Sequence, residues 1–370
     1  MIKERLFRDF AEMARIPSPT YHEKEINAYL VERLKGLGAR VEYDPEEGAS
    51  LQSNAGNIYA YFPGDPVRKP ILLSAHTDTV TPAGAFEAHL ENGKITGDGR
   101  FVLGADDKAA IAVIFEVLRR VKEMKCSHPP IEIAFSVAEE TGLEGAALMD
   151  LGRFRSGQAL VLDMSGMDLI GYAAVGSLDI QLTFKGKAAH AGWAIDEGIN
   201  SVMAAASFLQ KIKTGTLDSE TVLNIGRISG GEAVNIVPEE TRLSAELRSF
   251  REEKMKKAVE ELRTAAQKTE AEYPGLKIRF DVREKYKPYE NRKEIPLIKA
   301  LQKAGEKIGR PQKLVRCKGG SDANIFNNKG LESVVLSIGM TDVHSVREWI
   351  LLDDMAKVVQ LVLAFLKEWK

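Results

Sequence analysis

The sequence predicts an α/β protein with a mixed, mostly parallel sheet flanked by helices, into which a ferredoxin-like α+β domain is inserted. In the first part of the chain, short apolar segments alternate with amphipathic helical segments, which is typical of a mostly parallel sheet. The middle part has the order strand, helix, two strands, helix, strand, and this unit can form a compact domain by itself. The last part returns to the first pattern. The expected domain limits are 1–175, 176–285 and 286–370.

The first segment is expected to supply most of the large sheet. Its apolar spacing predicts helices at 2–15, 21–37 and 107–124 and strands at 57–62, 71–75, 131–137 and 159–162. Thr20-Tyr21-His22-Glu23 has the pattern of a capping box, which predicts the start of the second helix. Gly38 is expected to end that helix, because glycine adopts the left-handed conformation that closes many helices.

The pattern changes near Gly176, where a segment with alternating apolar and polar residues begins. The inserted domain is predicted to contain strands at 178–184, 221–228, 242–248 and 276–282 and helices at 199–212 and 252–269. The last segment is predicted to contain a helix at 295–308, a strand at 313–317, a short helix near Asn324, a strand at 333–338 and a final amphipathic helix.

Composition excludes several classes of function. The chain has 370 residues and a formal net charge of -2, which gives no reason to expect binding to nucleic acid or to a membrane surface. Two cysteines, Cys126 and Cys317, are far apart and form no CxxC pattern, so a reducing compartment is expected rather than a disulfide framework. The amphipathic N-terminus lacks the apolar core of a signal peptide, and no apolar run approaches the length of a membrane span. A cytoplasmic location is therefore expected.

Histidines and acids follow the apolar segments at the points where strands of an open α/β sheet end. His76 follows the strand at 71–75, and Asp78 comes two residues later. In an extended segment, residues two apart point the same way, so Asp78 can orient the His76 imidazole. Taken alone, this pair is more typical of a histidine and an acid at a solvated strand end.

Two pairs of adjacent acids suggest a metal site more strongly. Asp106-Asp107 precedes the helix at 107–124, where acids also serve as ordinary helix caps, but Asp106 follows a glycine-containing turn and could bridge two cations. Glu139-Glu140 follows a buried strand, where like charges repel unless a metal binds one glutamate and the other acts as a general base. A solvated turn is the alternative for this pair.

Two further residues complete the set. Asp163 ends the strand at 159–162, and His344 follows the strand at 333–338 by a short loop. Side chains at the carboxyl ends of the strands converge on one crevice of an open sheet. Five strand-end positions with metal-ligand chemistry therefore predict a two-metal hydrolase.

The sequence also resembles the dinuclear zinc aminoacylase/carboxypeptidase superfamily, known as peptidase family M20, and within it the peptidase T-like branch. The matching segments occur in family order over nearly the whole chain. They are SAHTDT (74–79), LGADDKAAIA (103–112), SVAEETGLEGA (136–146), VLDMSG (161–166), GKAAHAG (186–192), NIVPEE (235–240), GGSDAN (319–324) and HSVRE, which begins at His344.

The resemblance implies a zinc-exopeptidase-like catalytic domain with two divalent metal ions per chain, zinc foremost, with cobalt or manganese as alternatives. His76 and Asp163 would bind one ion, Glu140 and His344 the other, and Asp106 would bridge them. Asp78 would support His76, and Glu139 would be the general base.

The resemblance further implies that the inserted domain is a lid and a dimerisation domain. In a homodimer, His190 would reach the active site of the partner subunit and help to stabilise the oxyanion. Asn235 and Arg248 would bind polar groups of the substrate or its carboxylate, and Gly320 and Ser321 would supply backbone donors. Without the resemblance, His190 is an ordinary loop histidine and Arg248 a surface ion-pair partner.

The sequence therefore predicts a metallopeptidase, most closely a tripeptidase-like aminopeptidase that acts on short peptides. An N-acyl amino acid deacylase or a carboxypeptidase of the same superfamily is the first alternative. A non-catalytic, dimeric metal- or peptide-binding protein is the second, and Glu139 disfavours it because a purely structural site needs no unliganded base.

Overall fold

The computed structural model describes residues 1–125 and 127–370, so Cys126 lies outside the described residues. The chain divides into two compact units. The first unit consists of Met1–Ala174 and Glu290–Lys370, and the second is Val175–Tyr289. The first unit is thus assembled from two chain segments on either side of the second.

Helices and strands alternate along much of the chain. In chain order, the helices are α1 (Ile2–Ala14), α2 (Lys24–Leu37), α3 (Ala105–Met124), α4 (Glu144–Leu148), α5 (Ser201–Gln210), α6 (Glu252–Glu272), α7 (Pro296–Lys307), α8 (Asp322–Asn328) and α9 (Leu352–Glu368). The strands are β1 (Arg40–Tyr43), β2 (Ile58–Phe62), β3 (Ile71–His76), β4 (His89–Glu91), β5 (Lys94–Thr96), β6 (Ile131–Ser136), β7 (Gln158–Met164), β8 (Leu169–Ala174), β9 (Gly176–Lys185), β10 (Gly215–Thr216), β11 (Thr221–Gly230), β12 (Glu240–Ser249), β13 (Lys277–Tyr286), β14 (Tyr289–Glu290), β15 (Lys313–Cys317), β16 (Glu332–Ser337) and β17 (Trp349–Leu351). Within the described part of the chain, every helix is too short or too polar to span a bilayer.

The large sheet of the first unit is mixed and mostly parallel, as predicted. Its strands run in the order β1-β2-β6-β3-β7-β16-β8, and β15 also pairs with β8. Four neighbouring strands, β6, β3, β7 and β16, are parallel to one another. Antiparallel pairs form at the sides, between β1 and β2, β2 and β6, and β16 and β8. All residues of β3 and β6 are buried, which explains why these strands are mostly apolar and do not alternate between apolar and polar residues.

Helix α3 is the central helix of the first unit and packs against α1, α2 and α9. Its residues from Ala109 to Val113 are fully buried, and Phe115 meets Phe135 of β6 edge to face with ring centroids 6.4 Å apart. A fully buried side chain of this size stabilises the fold by about 1.5–3 kcal/mol. The amino end of α3 is therefore fixed firmly relative to the sheet.

An ion network ties α1, α2 and α3 together. Asp9 and Glu116 are fully buried, and both accept hydrogen bonds from guanidinium groups. Arg33 and Arg119 bind Asp9, while Arg5 binds Glu116 with its Nε at 2.9 Å. We call these five residues the helix ion network. Every buried carboxylate in it has a positive partner, as a buried charge requires.

The second unit has the topology predicted for a ferredoxin-like domain. Its antiparallel sheet has the order β10-β11-β12-β9-β13. β11 follows β9 through α5, but β12 lies between them, so the βαβ unit is split. Helices α5 and α6 pack on this sheet, with Phe208 of α5 against Phe184 of β9 at 5.5 Å between ring centroids.

The predicted capping box at Thr20–Glu23 is wrong. Helix α2 begins at Lys24, and neither Thr20 nor Glu23 caps it with a side chain. The Thr20 hydroxyl donates instead to Asp78, and the Glu23 carboxylate accepts from Ala138, because tertiary partners outcompete the local backbone. The predicted end of the helix is confirmed, since Gly38 has a φ of 102° and caps it in the left-handed region.

Candidate metal centre

The carboxyl ends of the four parallel strands bring the predicted residues to one edge of the sheet. His76 is the last residue of β3, and Asp163 lies near the end of its neighbour β7. Glu139 and Glu140 follow β6, on the other side of β3. His344 follows β16, which pairs with β7. Ligands separated widely in sequence thus meet because parallel strands all end at the same edge.

His76 is held in one orientation by Asp78. Its Nδ1 lies 3.0 Å from the backbone oxygen of Asp78 and 3.3 Å from the Asp78 carboxylate. A proton on Nδ1 satisfies these acceptors and leaves Nε2 as the coordinating atom. Nε2 lies 2.9 Å from Oδ1 of Asp106, so the ring points at the carboxylate predicted to bridge two ions.

A kink within the first residues of α3 turns Asp106 away from the rest of the helix. Gly104 has a φ of 71°, which favours glycine, and Asp106 and Asp107 have non-helical backbone angles. The peptide bond between the two aspartates is cis. Buried Glu348 accepts the backbone N–H groups of Gly104 and Asp106 at 2.7 and 3.0 Å. Neither aspartate caps the helix with its side chain, so both carboxylates are available to the site.

Asp78 also fixes the turn that carries the two glutamates. Its carboxylate accepts the backbone N–H groups of Glu139 and Glu140 at 3.0 and 3.2 Å and the Thr20 hydroxyl at 2.8 Å. Burial acts to raise the pKa of Asp78, but the hydrogen bonds with His76, Glu139 and Thr20 lower it. Asp78 is therefore an anion that organises both the first histidine and the glutamate pair.

The two glutamates have different surroundings. Oε2 of Glu140 lies 2.9 Å from Nε2 of His344, and the same nitrogen lies 3.4 Å from Asp106. These three side chains form one side of the centre. The Glu139 carboxylate has no hydrogen bond or ion pair with any other described residue, although the residue is only 8% exposed. The Glu140 carboxylate is thus paired with His344, whereas the Glu139 carboxylate is unpaired among the described residues.

Among the described residues there are two overlapping groups of possible metal ligands, and within each group the ligand atoms all lie within 4.8 Å of one another. One consists of His76, Asp106 and Glu140, and the other of His76, Asp107 and Asp163. Asp107 has no assigned role in the sequence prediction, and its place beside Asp163 is the principal addition that the structure makes. Adjacent acids at the start of a helix give no sign of which carboxylate faces which ion.

The electrostatics of the centre fit divalent cations. Burial raises the pKa of Glu139, Asp163 and Asp107 well above the usual range of carboxyl groups, and neighbouring carboxylates add to the effect. Burial acts in the same direction on Asp106, but its hydrogen bonds with His344 and His76 lower its pKa. Buried oxygens of Glu140 and Asp107 have no hydrogen-bond partner among residues 1–125 and 127–370. Two divalent ions would satisfy these oxygens and offset the crowded negative charge, and imidazole and carboxylate groups are suitable ligands for them.

The predicted substrate residues belong to both units. In the second unit, Nδ1 of His190 accepts the backbone N–H groups of Gly192 and Trp193, both at 3.1 Å. Asn235 lies beside this loop, where its backbone oxygen accepts the N–H of Ala191 at 3.0 Å.

Arg248 donates to Glu246 at 2.8 Å on the same strand, as a surface ion-pair partner does. In the first unit, Gly320 lies just before α8, and Ser321 is the N-cap residue of that helix. The Ser321 N–H donates to Asn324 at 3.2 Å, so a substrate would compete with the helix cap for it. Substrate binding by these residues stays a prediction.

The comparisons with known proteins agree with this geometry. Residues 72–368 match the peptidase family M20/M25/M40. The uncharacterized protein YqjE of Bacillus subtilis (strain 168) is 33% identical over 99% of this chain and 98% of its own. The structure of aminopeptidase PepT from Bacillus cereus ATCC 10987 is 34% identical, with a TM-score of 0.90 over 99% of this chain and 98% of that one.

A tripeptidase from Staphylococcus aureus subsp. aureus Mu50 is similar over the same extent. It is 30% identical, with a TM-score of 0.94 over 99% of this chain and 98% of that one. The same assignment is supported by the family match, by the relatives that match over their whole length and by the cluster of histidines and carboxylates. The chain belongs to the peptidase family M20/M25/M40, and it is a metallopeptidase of the peptidase T-like type.

Proposed function

We propose that this metallopeptidase is an aminopeptidase that hydrolyses short peptides, tripeptides foremost, and that its two metal ions are zinc. The observation that carries the proposal is the difference between Glu139 and Glu140. One glutamate is paired with His344 at 2.9 Å, and the other has a fixed backbone and a carboxylate without a partner among the described residues. A free, buried carboxylate beside a ligand set is what hydrolysis of an amide needs. The similarity to an aminopeptidase and to a tripeptidase supports peptides as the substrate class.

Each residue of the centre has a separate task. His76 and Asp163 would hold one ion, Glu140 and His344 the other, and Asp106 would lie between them. When bound, the divalent ions polarise the substrate carbonyl and make water a stronger acid. Glu139 takes the proton from the attacking water at its carboxylate and transfers it to the departing amine. Zinc suits this mixture of imidazole and carboxylate ligands, and cobalt or manganese would fit the same donors.

We also propose that the second unit is a lid and a dimerisation domain. Large apolar side chains near His190 are exposed to solvent, with Trp193 90% exposed and Ile195 58% exposed. Val234, beside Asn235, is fully exposed. Exposed apolar side chains that lie close together favour an interface with another protein surface. Because Nδ1 of His190 accepts two backbone donors, its Nε2 carries the proton and can donate to an oxyanion in the partner subunit.

The substrate class is tested with four groups of compounds. Zinc- and cobalt-loaded protein is assayed on tripeptides, the same tripeptides with an acetylated amino terminus, dipeptides and N-acetyl amino acids. We expect the fastest hydrolysis with the free tripeptides, with release of the first residue, and none with the acetylated compounds. Cleavage of the acetylated tripeptides at the carboxyl end would instead identify a carboxypeptidase, and cleavage of N-acetyl amino acids a deacylase. The Glu139→Gln variant is the control for activity from contaminating peptidases.

The role of the dimer is tested by complementation. His190→Ala and Glu139→Gln homodimers should each be nearly inactive. In a mixed dimer, obtained by co-expression with two tags, one site combines the intact Glu139 of one chain with the intact His190 of the other. Isolated mixed dimers should therefore recover about half of the wild-type activity. Mixed dimers that stay as inactive as either parent would show that His190 does not act in the partner's site.

A further inference from the structure

A further carboxylate holds the turn that carries Glu139. It is neither a predicted metal ligand nor one of the residues that support those ligands. Glu23 is fully buried. Its Oε1 accepts the backbone N–H of Ala138 at 2.9 Å and that of Tyr21 at 3.1 Å. Its Oε2 accepts the Ser53 hydroxyl at 3.1 Å. Glu23 thus binds the residue immediately before the proposed base.

Glu23 completes a row of three clamped amides. Ala138 donates its N–H to Glu23, and the next two residues, Glu139 and Glu140, donate theirs to Asp78. Ala138 has a φ of 48°, in the left-handed region that side chains other than glycine rarely adopt. Such a conformation persists only where the surroundings hold it. The three amide hydrogen bonds to Glu23 and Asp78 hold this turn together with backbone hydrogen bonds from Glu144 to Ala138 and from Leu143 to Glu139.

The segment from Thr20 to Glu23 contacts the site at two further points. We call residues 138–140 the glutamate turn. The Thr20 hydroxyl donates to Asp78 at 2.8 Å, and the Tyr21 hydroxyl donates at 2.8 Å to Glu144, which follows this turn. The segment from Thr20 to Glu23 therefore contacts three places. They are Ala138 in the turn, Asp78, which accepts the other two amides of the turn, and Glu144, which follows the turn.

We propose that Glu23 is a positioning residue for catalysis, which sets the direction of the Glu139 carboxylate by holding the N–H of Ala138. The inference rests on the proposed role of Glu139 as the general base. Glu23 touches neither a predicted metal ligand side chain nor the Glu139 carboxylate, so it acts through the backbone. The reach of its side chain should matter more than its charge. Burial and the nearby Asp78 raise the pKa of Glu23 to about 7, so the site does not strongly require its anionic form.

Two substitutions separate reach from charge. Glu23→Gln keeps the reach and loses the charge, because the amide oxygen can accept from Ala138 and Tyr21 while its NH2 group faces the Ser53 hydroxyl. Glu23→Asp keeps the charge and loses the reach. We expect Glu23→Asp to lower kcat by about 10- to 100-fold, the usual cost of removing a supporting partner, with KM and metal content unchanged. Glu23→Gln should stay within about threefold of wild type.

Glu132 supplies a matched control. It is a second buried glutamate that accepts two backbone N–H groups and one serine hydroxyl, from Arg155 and Ser156, at 2.6–3.0 Å. It lies at the opposite end of β6 from the glutamate turn. Glu132→Asp should therefore destabilise the protein about as much as Glu23→Asp does and leave kcat unchanged. Thermal unfolding of both variants measures the structural cost.

A double variant and hydrogen exchange complete the test. In the Glu139→Gln background, Glu23→Asp should cause no further loss of kcat, because residues that act through one group are not additive. Independently of any activity, amide exchange in the peptide that contains Ala138 should be at least about tenfold faster in Glu23→Asp than in wild type. That measurement stands even if the substrate class is wrong, in which case wild type hydrolyses none of the peptides. The proposal is overturned if Glu23→Asp keeps full kcat, if Glu23→Gln loses as much as Glu23→Asp, or if Glu132→Asp lowers kcat equally.

Discussion

The first unit buries two clusters of charge that follow opposite rules. In the helix ion network, Asp9 and Glu116 have no solvent exposure. Arg33 of α2 and Arg119 of α3 pair with Asp9, and Arg5 of α1 pairs with Glu116. In the candidate metal centre, five carboxyl groups lie around the imidazoles of His76 and His344. They are those of Asp106, Asp107, Glu139, Glu140 and Asp163, and fully buried oxygens of Asp107 and Glu140 have no hydrogen-bond partner among the described residues. Each carboxylate of the first cluster has a guanidinium partner within the protein, whereas the carboxylates of the second cluster outnumber their cationic partners.

This difference separates structural from functional acids without reference to any family. A buried carboxylate is tolerated in a fold when a positive or hydrogen-bonded partner compensates it. Where several carboxylates share a pocket and burial raises their pKa values, the protein retains an unfavourable arrangement for a ligand. The two clusters should therefore respond differently to removal of a single charge.

The largest effect is expected at Asp106. Asp106→Asn removes the carboxylate that lies within 2.9 Å of His76 and 3.4 Å of His344. Because one bridging ligand serves both ions, the variant should lose most of both metals and all measurable activity. Elemental analysis of the purified protein measures the metal content. Retention of both metals at full occupancy would reduce Asp106 to a residue of the helix start.

Glu139→Gln should give the next largest effect. The amide has the shape of the carboxylate but cannot accept the proton of water, so kcat should fall by at least about 100-fold while metal content stays. Glu140→Gln should instead weaken the binding of one metal. Steady-state kinetics and metal analysis on both variants decide the assignment, and exchanged phenotypes would mean that base and ligand are reversed.

A smaller effect is expected at Asp78, which is buried and acts on the centre through His76 and the glutamate turn. Asp78→Asn should leave both metals bound and slow turnover by about 10- to 100-fold, since the weakened contact to His76 and the altered amide clamp both reduce alignment. The measurement is kcat together with the concentration of chelator that removes half of the metal. A variant equal to wild type in both would make Asp78 a passive acid.

The helix ion network should affect stability without affecting catalysis. Arg119→Met removes one of the guanidinium groups on Asp9 and should lower the free energy of unfolding by about 3 kcal/mol, as expected for a broken buried pair. Its neighbour Arg120, which pairs with Glu123 at the surface, is the control, and Arg120→Met should cost less than about 1 kcal/mol. Urea unfolding measures both, and kcat should stay unchanged. A drop in kcat in Arg119→Met would mean that the two clusters are coupled through α3.

Much of the fold followed from periodicity, and the reason is visible in the strands. β3 and β6 are buried on both faces, so their sequences are mostly apolar and easy to recognise. The prediction missed β1, β4 and β5, which are short and partly exposed and lack such a run. It also missed β8, whose sequence LIGYAA contains a glycine and two alanines rather than large β-branched residues.

The candidate centre was predictable to the extent that its residues end strands. Asp107, Glu348 and Glu23 escaped for different physical reasons. Asp107 follows Asp106 directly, and only the non-helical turn shows that it faces Asp163 and His76. Glu348 and Glu23 bind backbone amides more than 100 residues away in sequence, and no local pattern reports such a contact. Glu23 also matched a capping pattern, which gave it a plausible local role that the structure does not support.

The division of the first unit into two chain segments has a consequence for synthesis of the protein on the ribosome. β16, which pairs with β7 and β8, and His344 leave the ribosome only after the whole of the second unit has been made. At typical elongation rates this interval lasts roughly ten seconds or more. During this interval, β7 and β8 lack β16, the strand that pairs with both of them. The nascent chain also lacks His344, while the other predicted metal ligands have already been made. The newly made enzyme is therefore exposed to mispairing at that edge, and the proposed two-metal site can be complete only once the final part of the chain has been released.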